Sequence, residues 1–309
     1  MLLLDSNIRR NAENPYRPSI NQDAVIDLTT CSDQDDESLT ILNDAVSLVH
    51  NNPTSKVAIL VKQRGPNLGK ILEQFEFHQI PYFFGLFTDE DPAYIQFHRK
   101  CFFEFIELIK IKDRITKKVS IAHIKMMQAL YASNIDSIVS SLLSLLEVFW
   151  GRIFSNYSFI SNEDKIALIK DTFENNGLKQ YIEFIGKNII ISTVHAAKGL
   201  EWDFVILPDM EQDSFPNWFG LCGKCVCKKN CKLAITDKND SAFLEELSVF
   251  YVAVTRARKR VFFTASQSNL DKNGISRTKN LSCFLKLPGI KIKQHVKTKP
   301  TMAMTRNNP

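Results

Sequence analysis

The sequence predicts an α/β protein: a parallel sheet flanked by helices and interrupted by an all-helical insert. Three observations carry this. Residues 57–62 (VAILVK), 189–192 (IIIS) and 203–207 (DFVIL) are short apolar runs with polar ends, the pattern of strands buried on both faces. Segments of helical periodicity at 37–50 and 68–78 alternate with such runs, as in βαβ units. Between 86 and 187 the strand pattern stops, and helical segments follow at 102–109, 135–154, 164–173 and 178–185.

At 309 residues the chain accommodates two domains. A hydrophobic content of 44% and a charged content of 24% describe a globular protein with a sizeable core. No uninterrupted apolar run approaches the roughly 18 residues that would span a bilayer. The start, MLLLDSN, is too short for a signal peptide, so a cytoplasmic, intracellular location without membrane partners is expected. The net charge of +5 points only weakly to nucleic acid. Its distribution is uneven: SDQDDE at 32–37 is acidic, whereas Lys291, Lys293, Lys297, Lys299 and Arg306 make the end basic. Residues 288–309 read as a flexible basic tail.

In chain order, residues 1–7 read as a strand followed by Arg9 and Arg10. Residues 24–30 (AVIDLTT) alternate as a strand, and 80–85 (IPYFFG) follow the second helix as another. His98 and His123 are lone histidines, read as surface or core residues. Cys31, Cys101 and Cys283 are scattered. Cys222, Cys225, Cys227 and Cys231 lie within ten positions, flanked by Lys224, Lys228 and Lys229. That spacing suits a Zn²⁺ site, or else a loop of reduced surface thiols.

Two stretches carry most of the chemistry. Residues 189–208 read IIISTVHAAKGLEWDFVILP, two strands around a polar turn holding Thr193, His195, Lys198, Gly199 and Glu201. Residues 245–260 read EELSVFYVAVTRARKR, with Leu244, Leu247, Phe250, Tyr251 and Val254 at helical spacing; a strand is expected at 261–265. TVHAAKGLE and FYVAVTRA closely resemble motifs V and VI of superfamily 1 DNA helicases of the UvrD/Rep/PcrA type, in the family's order. The strand–helix–strand run at 57–85 is similar to the region around motif IV. NIRR at 7–10 partly matches an Asn-Tyr-Arg-Ser signature, and is otherwise an exposed basic pair.

The resemblance implies a RecA-like, P-loop NTPase-type sheet from residues 1–85 and 188–287, with 86–187 as a reduced helical subdomain of the kind called 2B. It implies that Arg256 is an arginine finger on the γ-phosphate of ATP, a task suited to a planar cation that keeps its charge. Arg9 would be a second γ-phosphate contact. Glu201 would hold the ribose, and Gly199 would let backbone approach the nucleotide. Thr193, His195 and Lys198 would bind phosphates of single-stranded or duplex DNA through hydroxyl, imidazole and ammonium donors. Trp202, before a buried strand, is expected in the core.

The sequence holds no Gly-x-x-x-x-Gly-Lys-Ser/Thr loop and no Asp-Glu pair directly closing an early apolar strand. RGPNLGK at 64–70 fails as such a loop, having Pro66 within it and Ile71 after its lysine. The resemblance is therefore to the C-terminal half of a helicase. Two functions remain open. The chain supplies one wall of an ATP and Mg²⁺ site, completed by a chain carrying the N-terminal helicase domain, or it is an inactive remnant that binds DNA or a partner.

Overall fold

The computed structural model describes residues 24–88, 90–133, 137–224, 238–270, 274–287 and 290–296. The expected strand at 1–7, Arg9, and Cys225, Cys227 and Cys231 lie outside them. Nine strands are present among the described residues: β1 (Ala24–Cys31), β2 (Val57–Val61), β3 (Phe83–Gly85), β4 (Ile189–Thr193), β5 (Trp202–Leu207), β6 (Ala257–Ser266), β7 (Ser268–Leu270), β8 (Ser276–Thr278) and β9 (Ile290–Val296). Seven form one parallel sheet in the order β3-β4-β2-β5-β6-β1-β9, and β7 and β8 form an antiparallel hairpin.

Among the described residues seven α-helices accompany them: α1 (Gln34–Asn51), α2 (Pro66–Phe77), α3 (Pro92–Ile111), α4 (Lys117–Tyr131), α5 (Ser137–Ser155), α6 (Asn162–Glu174) and α7 (Asp240–Val254). The segment expected as a helix at 178–185 is a 3-10 helix, Gly177–Phe184. The starts are set locally: Asp33 caps α1 by accepting the Asp36 N–H at 2.9 Å, and Thr116 caps α4 by accepting the Val119 N–H.

Alternation along the strands divides the core. Val57, Ile59 and Val61 of β2 pack with Ile189, Ile191, Phe204 and Ile206 under α1 and α2. Ala58 and Leu60 face the other way, into a larger cluster that runs through β5 and β6 into the helical insert, where Phe105, Trp150 and Phe173 are buried together. The insert thus shares its core with the sheet. All five β2 side chains are buried, each branched one worth about 1.5–3 kcal/mol of apolar transfer.

His98 and His123 are core residues with every ring nitrogen engaged. His98 Nδ1 meets Tyr94 O at 2.9 Å, and its Nε2 accepts the Leu178 N–H. Trp150 Nε1 donates to His123 Nδ1 at 3.0 Å, so His123 Nε2 carries the proton that faces Cys101 O. Burial pushes His123 down to about 4, which leaves it neutral.

Further details differ from the sequence expectation. Residues 290–296, expected within a flexible tail, form β9 beside β1, because Ile290 and Ile292 of an IKIK alternation turn onto the core. Strand β6 starts at Ala257, so Arg258, Lys259 and Arg260 lie on a strand and not on the far end of the helix. Helix α7 buries Ala242, Phe243, Glu246, Phe250 and Ala253 and leaves Leu244 exposed; it is apolar nearly all round, so periodicity alone does not fix its face. Finally, residues 138–155 of α5 are long and apolar enough to cross a membrane by composition. They carry Glu147 and Arg152, and bury Leu142, Leu145, Leu146, Phe149 and Trp150 in the core of the insert.

Candidate functional site

In a parallel sheet all strands end at one edge, and ligands gather in the crevices there. Here Val61, Gly85, Thr193, Leu207 and Ser266 close strands at the C-terminal edge, while Glu201 and Arg256 stand immediately before β5 and β6 at the opposite one. The edges are about 20 Å apart, from a six-residue strand at roughly 3.3 Å per residue.

Residues 194–201 join the two edges. They leave the end of β4, pass β2, and enter β5 at its start, a parallel crossover of eight residues with no helix. Such connections usually need a dozen or more. Local hydrogen bonds make this one rigid. Thr193 Oγ1 accepts the Ala196 N–H at 3.1 Å, Thr193 O the Ala197 N–H at 3.0 Å, and Ala197 O the Leu200 N–H at 3.0 Å. Val194, Ala196 and Ala197 are buried, which turns His195, Lys198, Gly199 and Glu201 to solvent. Gly199 has φ +86°, a left-handed conformation that a side chain would strain, and the space beside it is open.

At the C-terminal edge, Thr193 and His195 line an open cleft of about 610 Å³ together with Lys62, Arg64, Asp91 and Asn217. Thr193 is buried and its oxygen serves the turn, though its hydroxyl proton remains to donate. Lys62, which sequence reading passed over as the polar end of β2, is buried in an ion pair with Glu246 of α7 and stands 5.2 Å from the Phe215 ring. Burial pulls its ammonium below the usual range, and Glu246 partly opposes that.

At the N-terminal edge, Arg256 is fixed by three bonds. Its Nη1 donates to Leu200 O at 3.1 Å, Nε to Val252 O at 3.1 Å, and Nη2 to Thr255 Oγ1 at 3.2 Å. Its own carbonyl accepts the Trp202 N–H at 2.9 Å, so the two motifs are tied on either side of Arg256. Among the described residues no carboxylate pairs with it. Glu201 is exposed and meets Arg258 Nε at 3.4 Å. Asp203 receives Lys259 at 2.9 Å and the Lys56 N–H at 3.0 Å. Burial alone would raise the Asp203 carboxyl, but these donors outweigh it and hold it low. Trp202 is in the core, as expected.

Of the cysteine set, Cys222 alone is described; it is buried, its thiol donating to Pro216 O at 3.3 Å. Sequence reading missed a second group: Glu37, Asp209 and Glu211, which converge at the C-terminal edge. They are up to 174 positions apart in the chain, and no local pattern announces them.

Residues 144–268 match the family described as UvrD-like helicase C-terminal domain. Relatives include DNA helicase II of Rickettsia typhi, 31% identical over 138 residues (42% of this chain, 19% of the relative). A probable DNA helicase II homolog of Mycoplasma pneumoniae is 30% identical over 203 residues, 63% of this chain and 22% of the relative. The ATP-dependent DNA helicase PcrA of Staphylococcus aureus is 25% identical over 172 residues, 54% of this chain and 20% of the relative. The aligned stretch thus spans about a fifth of the length of each of these relatives. Residues 144–268, which include three of the seven parallel strands and both motifs, are thus similar to a UvrD-like helicase C-terminal domain.

Proposed function

We propose that the chain supplies one wall of an ATP-dependent DNA helicase, with DNA held at the C-terminal edge of the sheet and nucleotide at the N-terminal edge. The observation that carries this reading is the crossover 194–201. It begins at Thr193 and His195, and Arg256 grips its far end through Leu200 O. A change in how Arg256 is held would therefore be felt along a short, hydrogen-bonded segment leading to the DNA edge.

ATP fits this wall by its donors. Arg256 has N–H groups left beyond its three bonds, and Glu201 and Arg258 are exposed beside it. Arg256 would neutralise charge on a γ-phosphate and Glu201 would accept a ribose hydroxyl. Arg9 belongs to the same proposal. Bound Mg²⁺ would neutralise the phosphates; its ligands and the phosphate loop would come from a separate N-terminal helicase domain. The chain alone is expected not to hydrolyse ATP.

The test is reconstitution with a chain bearing a phosphate-binding loop. DNA-stimulated phosphate release should appear in the mixture and vanish with Arg256→Ala. Release by the mixture that falls less than about tenfold, roughly 1.4 kcal/mol of barrier, would remove the finger role. The absence of a phosphate-binding loop also favours a second reading, an inactive DNA-binding remnant. DNA binding without turnover in every such mixture would select it.

A further inference from the structure

The helicase reading leaves one set of buried oxygens unused. Glu37 projects from α1, and Asp209 and Glu211 from the loop after β5. One carboxylate oxygen from each lies within 4.8 Å of the others. Glu37 and Glu211 are fully buried, and Asp209 is half-buried.

Some of these oxygens have protein donors. Thr264 Oγ1 donates to Glu37 Oε1 at 2.6 Å, the Asp209 N–H reaches the same oxygen at 3.1 Å, and Ser266 Oγ donates to Glu211 Oε1 at 2.7 Å. Others have none. Glu211 Oε2 is buried without a partner, and so is the side-chain carbonyl oxygen of Asn67. Asn67 is 3% exposed, and its amide nitrogen donates to Asp209 Oδ1 at 2.7 Å and to Glu37 Oε2 at 3.4 Å, so its head group is seated among the carboxylates. A buried acceptor left unsatisfied costs about 1–3 kcal/mol, more when charged. One such oxygen within the carboxyl trio and one on the amide beside it form a demand that the protein itself does not meet.

We propose that Glu37, Asp209 and Glu211 bind one hard divalent cation, and that the Asn67 amide turns over to offer it the carbonyl oxygen that now has no partner. The donor set is oxygen only, which favours Ca²⁺, Mg²⁺ or Mn²⁺ over thiolate- or imidazole-seeking metals. The three oxygens, no more than 4.8 Å from one another, can share one ion: ligands on opposite sides of Ca²⁺, each about 2.3–2.6 Å away, stand up to about 5 Å apart. Asn67 and Asp209 line a cavity of about 240 Å³ whose wall also carries Gln34 and Gln63, with Lys62, Arg277 and Lys279 around it. Without a cation, protons must carry the charge. Burial pushes the Asp209 carboxyl up to about 6 and Glu211 up to about 8, and raises Glu37 as well. Binding would release those protons.

The test uses the purified chain, stripped with chelator and dialysed at pH 7.5. Calorimetric titration with Ca²⁺ and electron paramagnetic resonance with Mn²⁺ should each report one site, and Ca²⁺ should raise Tm. Glu211→Gln and Asp209→Asn should each weaken binding at least tenfold. Asp209 sits at the cavity mouth, so its variant serves if Glu211→Gln fails to fold by circular dichroism. A folded wild-type chain with no saturable binding at about 10 mM of either ion, above the range of ordinary weak Ca²⁺ sites, would overturn the proposal. Binding that is unchanged in a folded variant would overturn it equally.

Discussion

The two edges of the sheet solve the same problem in opposite ways. Along the N-terminal edge, carboxylates stand in pairs with cations, Glu201 with Arg258 and Asp203 with Lys259; further along the sheet Asp27 pairs with Arg260 and meets His295. Arg258, Lys259 and Arg260 are half in solvent, and the charge there is balanced within the chain. At the C-terminal edge three carboxyl groups crowd together in the interior; Lys62, Arg277 and Lys279 line the cavity beside them, and Lys279 stands 4.0 Å from the neighbouring Asp213. A balanced edge can present a spare cation such as Arg256 to an incoming anion. An edge with surplus carboxylate must take in protons or a metal ion.

The largest expected effect tests the balanced edge. Arg256→Ala in a reconstituted complex should lower phosphate release by about 10³-fold, the low end for arginine fingers, with DNA affinity little changed. Equal loss of DNA affinity would break the separation of roles between the edges. Next, Lys62→Met leaves Glu246 buried without its partner and should cost about 3 kcal/mol by urea denaturation. The double variant with Glu246→Leu should recover most of that; failure to recover would mean the pair is not the reason for the loss.

The edges should also differ in the sign of their pH dependence. Asp209 and Glu211 bind protons more tightly when folded, with values near 6 and 8 against about 4 unfolded. Their stabilising contribution is full below about pH 4 and is lost as pH rises toward 8. Asp27 and Asp203 are held low by their donors despite burial, so their contribution is full above about pH 4 and is lost in acid. In chelator, Glu211→Gln should therefore gain Tm relative to wild type between pH 5 and 8. A constant difference across that range would contradict the buried-proton account.

Smaller effects remain. His195→Ala with Lys198→Ala should flatten the salt dependence of single-strand binding by about 0.7 for each phosphate no longer neutralised. An unchanged slope would place DNA elsewhere. Arg258→Ala should cost less than about 1 kcal/mol, because both partners of its pair with Glu201 are exposed. A larger loss would show that the N-terminal edge depends on its pairs more than exposure suggests.

The sequence is most legible where the signal is local. VAILVK, IIIST and DFVIL are strands because each run is apolar on both faces, and the turn 194–201 is legible through its glycine and small residues. The alternation of IKIK in β9 is masked by its lysines, since charge density resembles a solvated tail until a neighbouring strand is known. The face of α7 is illegible because Leu244 and Phe243 are equally apolar; the partner of Glu246 decides it. Of the candidate site, the motif residues are readable and their division between opposite edges is not, for that depends on the crossover. The carboxylate trio needs three separate segments to meet and leaves no trace in spacing.

Strand β9 also bears on how copies of this chain meet one another. Among the described residues the sheet ends in β9 on one side and in the three-residue β3 on the other. An open strand edge invites another strand to join, with aggregation as the usual outcome. Strand β3 is too short to offer a long template. Strand β9 turns Lys291 and Lys293 outward, so a second copy approaching that edge would bring lysine against lysine. Among the described residues both ends of the sheet thus discourage self-propagation by strand pairing.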